Sequence, residues 1–96
     1  MNYIQKVANA IRDDVPRDAL PASDMDALFI LYAVLCLTKG SKVSREDVHD
    51  AWSAWMTLRG EGHESLVPYE ELPAEVRAED DPFVVAIRRV AEGGLS

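Results

Sequence analysis

The chain has 96 residues, of which 48% are hydrophobic, and it carries a net charge of −7 from 17 acids and 10 bases. This length suits one domain with a single core, and this hydrophobic content is typical of a globular chain rather than a disordered one. The negative charge disfavours binding to nucleic acids and to anionic membranes, because both need exposed Lys and Arg. A single cysteine excludes an internal disulfide.

The N-terminus lacks the basic and apolar regions of a signal peptide. We therefore expect one domain, residues 1–96, in the cytoplasm of the cell that makes it. Residues 2–14 predict an amphipathic helix, which Asn2 can cap and Pro16 ends. Its apolar positions recur at helical spacing. They are Ile4, Val7, Ala8, Ile11 and Val15.

The stretch 23–39 predicts the central helix of the fold, after a connecting loop at 16–22. Ser23 and Asp26 have the spacing of a capping box in which aspartate replaces glutamate. Gly40 can take the left-handed conformation that closes a helix. The signals at both ends therefore agree on one helix.

The middle of this helix, Ala27 to Leu37, contains no charged residue. A helix that is apolar all round has no face for water, so it should lie inside the protein, with Leu31 in the core. The run is too short to span a bilayer, which needs about 20 apolar residues. Cys36 lies within it, which predicts a buried and unreactive thiol.

Residues 44–58 predict a third helix, because Ser44 and Asp47 repeat the capping-box variant. Gly60 and Gly62 end it. Its apolar face is expected to pack in the core, although part of it could instead form a dimer contact. The residues on this face are Val48, Ala51, Trp52, Trp55 and Met56.

The segment 61–81 is acidic, with eight acids and one base, Arg77. Pro68 favours an extended backbone through Leu66 to Tyr69. Residues 73–79 can form one or two helical turns, and Asp81-Pro82 is a typical helix start. The last helix, 82–92, has a stripe that should be buried, at Phe83, Val84, Ile87, Val90 and Ala91.

These elements predict an all-α fold: a small four-helix domain around a buried central helix, with an extended loop between the third and fourth helices. The chain shows no catalytic or metal-site pattern. His49 and His63 have no partner at the spacing of a zinc site, and Ser65 lies in no nucleophile elbow. The acids at 79–81 are typical of solvated capping groups. We expect no metal, no cofactor and no enzymatic activity.

Two motifs resemble the ryanodine-receptor-type (RyR) domain. The first is Asp-Val-His-Asp-Ala-Trp at 47–52, and the second is His-Glu-Ser-Leu-Val-Pro-Tyr-Glu-Glu-Leu-Pro at 63–73. The resemblance covers about residues 45–91. Glu64 replaces the family's usual proline, and the segment between Met56 and His63 is shorter than in the receptor repeats. The whole chain is also similar to small uncharacterised proteins from phages of actinobacteria.

The resemblance implies a non-enzymatic interaction module, phage-encoded and acting in the host cytoplasm, that binds a host or phage protein. The alternative is a sensor or sponge for a small nucleotide-derived ligand. Receptor domains carry paired repeats, so one repeat per chain implies a homodimer. We expect binding to neither nucleic acid nor membrane. The candidate ligand- or partner-binding residues are His49, Trp52, His63, Tyr69 and Glu70.

A purely structural role is the competing interpretation of the same motif. Leu66 and Leu72 can anchor the loop, and the two histidines, His49 and His63, can hydrogen-bond its backbone and fix it in place. In the functional interpretation, His63, Glu64, Glu70 and Glu71 stay at the rim of the loop, where recognition residues commonly lie. The sequence leaves both interpretations open.

Overall fold

The computed structural model describes residues 1–20 and 25–93. The regular elements of this part of the chain are helical, which confirms the all-α prediction. Three short 3₁₀ turns, 17–19, 40–42 and 69–71, connect the longer elements. The helices are α1 (Tyr3–Asp14), α2 (Asp26–Lys39), α3 (Arg45–Arg59), α4 (Ala74–Ala78) and α5 (Asp81–Gly93).

Two of the predicted helix starts have the expected caps. The Asn2 side chain accepts from the backbone of Gln5, and Gln5 reaches back to the backbone of Asn2. Ser44 and Asp47 form the same reciprocal pair at the start of α3. Each box satisfies amide groups that the first turn leaves without partners.

The start of α2 differs from the prediction. The helix begins at Asp26 rather than at residue 23, and Met25 precedes it with no side-chain cap. Met25 is buried, so its apolar contacts rather than a polar cap fix the entry to the helix. Ser23, the predicted cap, lies outside the described residues. At the other end Gly40 has a positive φ of 58°, but its ψ of −132° lies outside the predicted left-handed helical region, and its amide donates to the Cys36 carbonyl.

Helix α2 packs against α1, α3 and α5, so its central place is confirmed. The predicted burial of α2 on all sides is not confirmed. Val34 is 42% exposed and Leu37 51% exposed, because the neighbouring helices cover only one side of α2. An apolar strip therefore faces outward. The buried side consists of Leu28, Phe29, Tyr32, Ala33 and Cys36.

Two residues expected in the core lie at its margin. Leu31 and Trp52 are partly buried and pack against the core cluster from outside, whereas Leu28 is fully buried. Leu31 is one helical turn from the exposed Val34, and Trp52 faces a recess described below. Cys36 is buried, as predicted, and burial raises the pKa of its thiol.

Charged pairs connect the helix ends. The Lys39 ammonium lies 2.8 Å from the Asp47 carboxylate, which joins the end of α2 to the start of α3. Arg45 makes a two-pronged contact of 2.6 and 2.7 Å with Asp81, which joins α3 to α5. This fork holds the junction before α5 close to α3, and that junction forms one wall of the candidate site.

The loop between α3 and α4 is extended over a shorter stretch than predicted. The backbone turns at 64–65, bends at Val67 and enters a 3₁₀ turn at Tyr69, so it is not continuously extended through the predicted stretch. Leu72 is buried and Leu66 packs against the core, as expected of the anchoring residues. The turn packs against α3. In the described part of the chain, no helix is long and apolar enough to cross a membrane.

Candidate functional site

Four of the five predicted site residues form a continuous row of rings. The His49 and Trp52 rings stack with centroids 5.8 Å apart. Trp52 meets His63 edge to face at 5.2 Å, and His49 meets Tyr69 at 6.3 Å. The row therefore runs Tyr69, His49, Trp52, His63, from the 3₁₀ turn across α3 to the start of the loop.

His49 anchors the loop to α3. It is only 4% exposed, and its Nε2 lies 2.7 Å from the carbonyl oxygen of Val67. Because a carbonyl can only accept, the hydrogen of the imidazole must sit on Nε2. This bond is available to both the neutral and the charged ring. The sequence predicts that a histidine fixes the loop through a hydrogen bond to its backbone, and the structure contains this bond.

Two further hydrogen bonds shape the loop, one within it and one from α4. The Ser65 amide donates to Nδ1 of His63 over 3.0 Å. Arg77, on α4, donates to the Glu70 carbonyl at 2.6 Å and places its guanidinium 4.9 Å from the centre of the Tyr69 ring. Glu70 thus contributes its backbone, while its side chain is exposed and lies outside the row.

One side of the row opens into a recess of about 720 Å³. We call it the aromatic recess. It lies between α2, α3, the loop and the junction of α4 with α5. Trp52 and His63 line it, and His49 lies at its floor, whereas Tyr69 is on the far side of His49 and contributes to a different depression. Its aromatic lining is Tyr32, His49, Trp52, Trp55, His63 and Phe83.

The charged residues of the recess are mostly acidic. Asp18, Glu61, Glu79 and Asp80 line it, and among the described lining residues Arg59 is the only Lys or Arg. Arg59 is already engaged, with its guanidinium 2.9 Å from Glu61 and 4.5 Å from the centre of the Trp55 ring. The described lining of the recess therefore carries a net negative charge, because Arg59 does not offset the acids.

Asp80 is the half-buried acid of this group. Burial raises the pKa of its carboxyl to about 6, with further upward contributions from Glu79 and Asp81, while His49 and Arg45 act in the opposite direction. Burial likewise raises the pKa of the Tyr32 hydroxyl, and the charge of Asp80 adds to that effect. Asp80 therefore sits close to both Tyr32 and His49, with its charged form incompletely solvated.

A family model described as "Domain of unknown function (DUF7701)" matches residues 2–92. The chain belongs to this family. The match runs from before α1 into the last turn of α5, so the family unit is wider than the RyR resemblance of residues 45–91. No curated protein and no solved structure matches the chain.

Two residues of the aromatic recess are not among those predicted from the sequence. Tyr32 lies within an apolar run that predicts only burial, and the acids at 79–81 predict solvated capping groups. Helix α5 begins at Asp81 itself, which leaves Asp80 in the turn before it and beside the recess. Within residues 1–20 and 25–93, no group of three His, Cys, Asp or Glu side chains is arranged to hold a metal ion.

Proposed function

We propose that this DUF7701 protein is a non-enzymatic interaction module that binds a protein partner through the aromatic recess and the adjoining loop, 63–72. The observation that carries the proposal is the row of four rings, which runs from the loop into an open recess. Aromatic side chains supply large contact area at low entropic cost, and they are enriched where proteins bind each other.

The rigidity of the loop supports this function. Two contacts fix it to neighbouring helices, His49 to Val67 and Arg77 to Glu70, and the Ser65–His63 bond closes a local turn within it. A loop that is already ordered loses little conformational entropy when a partner binds. The row offers no pair of nucleophile and base, because His49 gives its Nε2 hydrogen to a backbone carbonyl.

A small nucleotide-derived ligand is the second candidate. The recess volume of about 720 Å³ lies in the range of small-molecule pockets, and the exposed edge of Trp52 could stack on a base. The acidic lining weighs against it, since phosphate groups are bound by cations. For this reason a protein partner is preferred.

The RyR and phage resemblances extend the proposal. They support a phage-encoded protein that acts in the host cytoplasm on a host or phage protein. They also support a homodimer, in which two chains supply the paired repeats of the related family. The exposed apolar strip of α2 offers the contact. The Trp face of α3 does not, because Trp55 and Met56 are buried in the core.

Native mass spectrometry of freshly purified protein, with a pull-down from actinobacterial host lysate, tests the proposal. The variants are His63→Ala and Tyr69→Phe, with Lys6→Ala on the exposed side of α1 as a control. We expect one stoichiometric partner protein with wild type and Lys6→Ala, weakened by the recess variant His63→Ala while its melting temperature is retained. A retained small molecule and no partner would support the second candidate. Loss of stability with undiminished capture would instead assign the motif a structural role.

A further inference from the structure

The carboxylate of Asp80 has no direct hydrogen-bond or ion-pair partner among the described residues, although Arg45 and His49 act on it electrostatically. Its neighbour Asp81 is held by Arg45. It lines the aromatic recess together with the ring of Trp52. A half-buried carboxylate in this position gains from any cation that enters the recess.

Ring faces and carboxylates together select one kind of cation. A guanidinium is planar, is more weakly hydrated than an ammonium, stacks on aromatic faces and donates two parallel hydrogen bonds to a carboxylate. The protein already uses both contacts internally. The guanidinium of Arg59 lies over the Trp55 ring, and that of Arg77 lies over the Tyr69 ring. Arg45 donates two hydrogen bonds to the Asp81 carboxylate. Among the described residues, no Arg lies over Trp52, whose ring contacts His49 and His63, and no Arg or Lys pairs directly with Asp80.

We infer that the aromatic recess binds an arginine side chain of the partner protein, with its guanidinium against Trp52 and paired with Asp80. This inference rests on the proposed function and specifies the chemistry of the partner. The alternative is that water solvates Asp80 and that no cation binds in the aromatic recess. The two differ in whether a free guanidinium compound binds saturably at this place.

Binding of the cation should depend on the ionisation of Asp80. With the pKa of this carboxyl at about 6, the acid is roughly 90% protonated at pH 5, so affinity should fall about tenfold between pH 7.5 and pH 5. Tyr32, His49, Glu79, Asp81 and Arg45 are the groups that act electrostatically on Asp80 or are acted on by it. An Asp80→Asn variant isolates the contribution of this carboxyl to the pH dependence.

The test uses the full chain and two matched probes, N-acetylarginine methylamide and its uncharged counterpart N-acetylcitrulline methylamide. Proton–nitrogen correlation spectra follow the indole N–H groups of Trp52 and Trp55. We expect saturable shifts at the Trp52 signal with the arginine probe in the millimolar range and none with citrulline. Asp80→Asn should weaken binding at least fivefold and remove most of its pH dependence. Asp13→Asn, an exposed acid on α1, should leave binding unchanged.

Equal shifts with both probes, or undiminished binding by Asp80→Asn, would overturn the inference. Adenosine monophosphate is a third probe, and shifts with it alone would also overturn the cation site while favouring the nucleotide candidate. The inference and the proposed function can fail separately. A partner captured through the loop without arginine binding refutes only the cation site, and arginine binding without any partner refutes only the interaction module.

Discussion

The His49 side chain connects the helical scaffold to the loop that carries the candidate site. Replacing it by alanine removes the bond to Val67 and leaves both a cavity and a carbonyl without its donor. We expect His49→Ala to lower the free energy of unfolding by about 2–4 kcal/mol, as measured by urea denaturation. His63→Ala is the matched control: its ring is exposed, so its loss should cost well under half as much. Equal effects from the two variants would contradict the anchoring role.

Ionisation of the Asp80 carboxyl lowers the free energy of unfolding, whereas ionisation of a salt-bridged surface acid raises it. Its pKa is raised in the folded state, to about 6 from 3.8. The folded protein therefore holds this proton more tightly than the unfolded chain does. The resulting advantage is complete below the unfolded value and is lost as pH rises through about 6.

Asp80→Asn should consequently stabilise the protein at pH 7.5, where wild type must keep a partly desolvated charge. Because the group is half-exposed, solvent screening limits the expected gain to about 1 kcal/mol. The gain should shrink towards zero at pH 4. Denaturation of both proteins at these two pH values measures it, and a variant that is less stable than wild type at pH 7.5 would show that the charge is favourably paired.

Short-range signals explain which helix ends could be predicted. The two capping boxes, at Asn2 and Ser44, depend on residues three apart and are visible in the sequence. The start of α2 depends instead on the buried Met25, whose contacts come from distant parts of the chain. The exposed strip of α2 has the same origin, since hydrophobicity alone does not say how many neighbours will cover a helix.

The end of α3 depends on the backbone conformation of Gly60, whose φ is 72°. A Cβ at this position would meet no other atom within 4 Å, so Gly60→Ala introduces backbone strain without a clash. We expect a loss of about 1 kcal/mol in unfolding free energy. Gly62→Ala is the control, since Gly62 has equal space and no positive φ, and it should be neutral or slightly stabilising. A neutral Gly60→Ala would show that the helix end relaxes freely.

The assembly of the site shows where sequence reasoning ends. His49 and Trp52 could be placed on one helix, and His63 and Tyr69 in one loop, because each pair is close in sequence. That the two pairs join into one row follows from the fold of the loop back onto α3. The presence of Asp80 in the lining of the same recess as Trp52 depends in addition on the fork between Arg45 and Asp81, which are 36 positions apart. No local pattern encodes such a contact.

The apolar strip on α2 is the surface through which we propose that two chains associate. Ile30 is partly buried, and Val34 and Leu37, four and seven positions further on, are exposed on the same side of the helix. Such a strip can form the apolar centre of an interface, where charged residues are depleted. We therefore expect wild type to show a dimer mass by light scattering at micromolar concentration, and Leu37→Glu to show a monomer mass.

Leu58→Glu provides the control for this experiment. Leu58 is 79% exposed near the end of α3, so both variants place a new negative charge near a helix C-terminus and carry the same small cost of a few tenths of a kcal/mol. Only Leu37 lies on the strip. Dimerisation through α2 requires Leu58→Glu to remain dimeric. A monomeric wild type would contradict the dimer itself, and dissociation by both variants would show that added charge, rather than the strip, controls association.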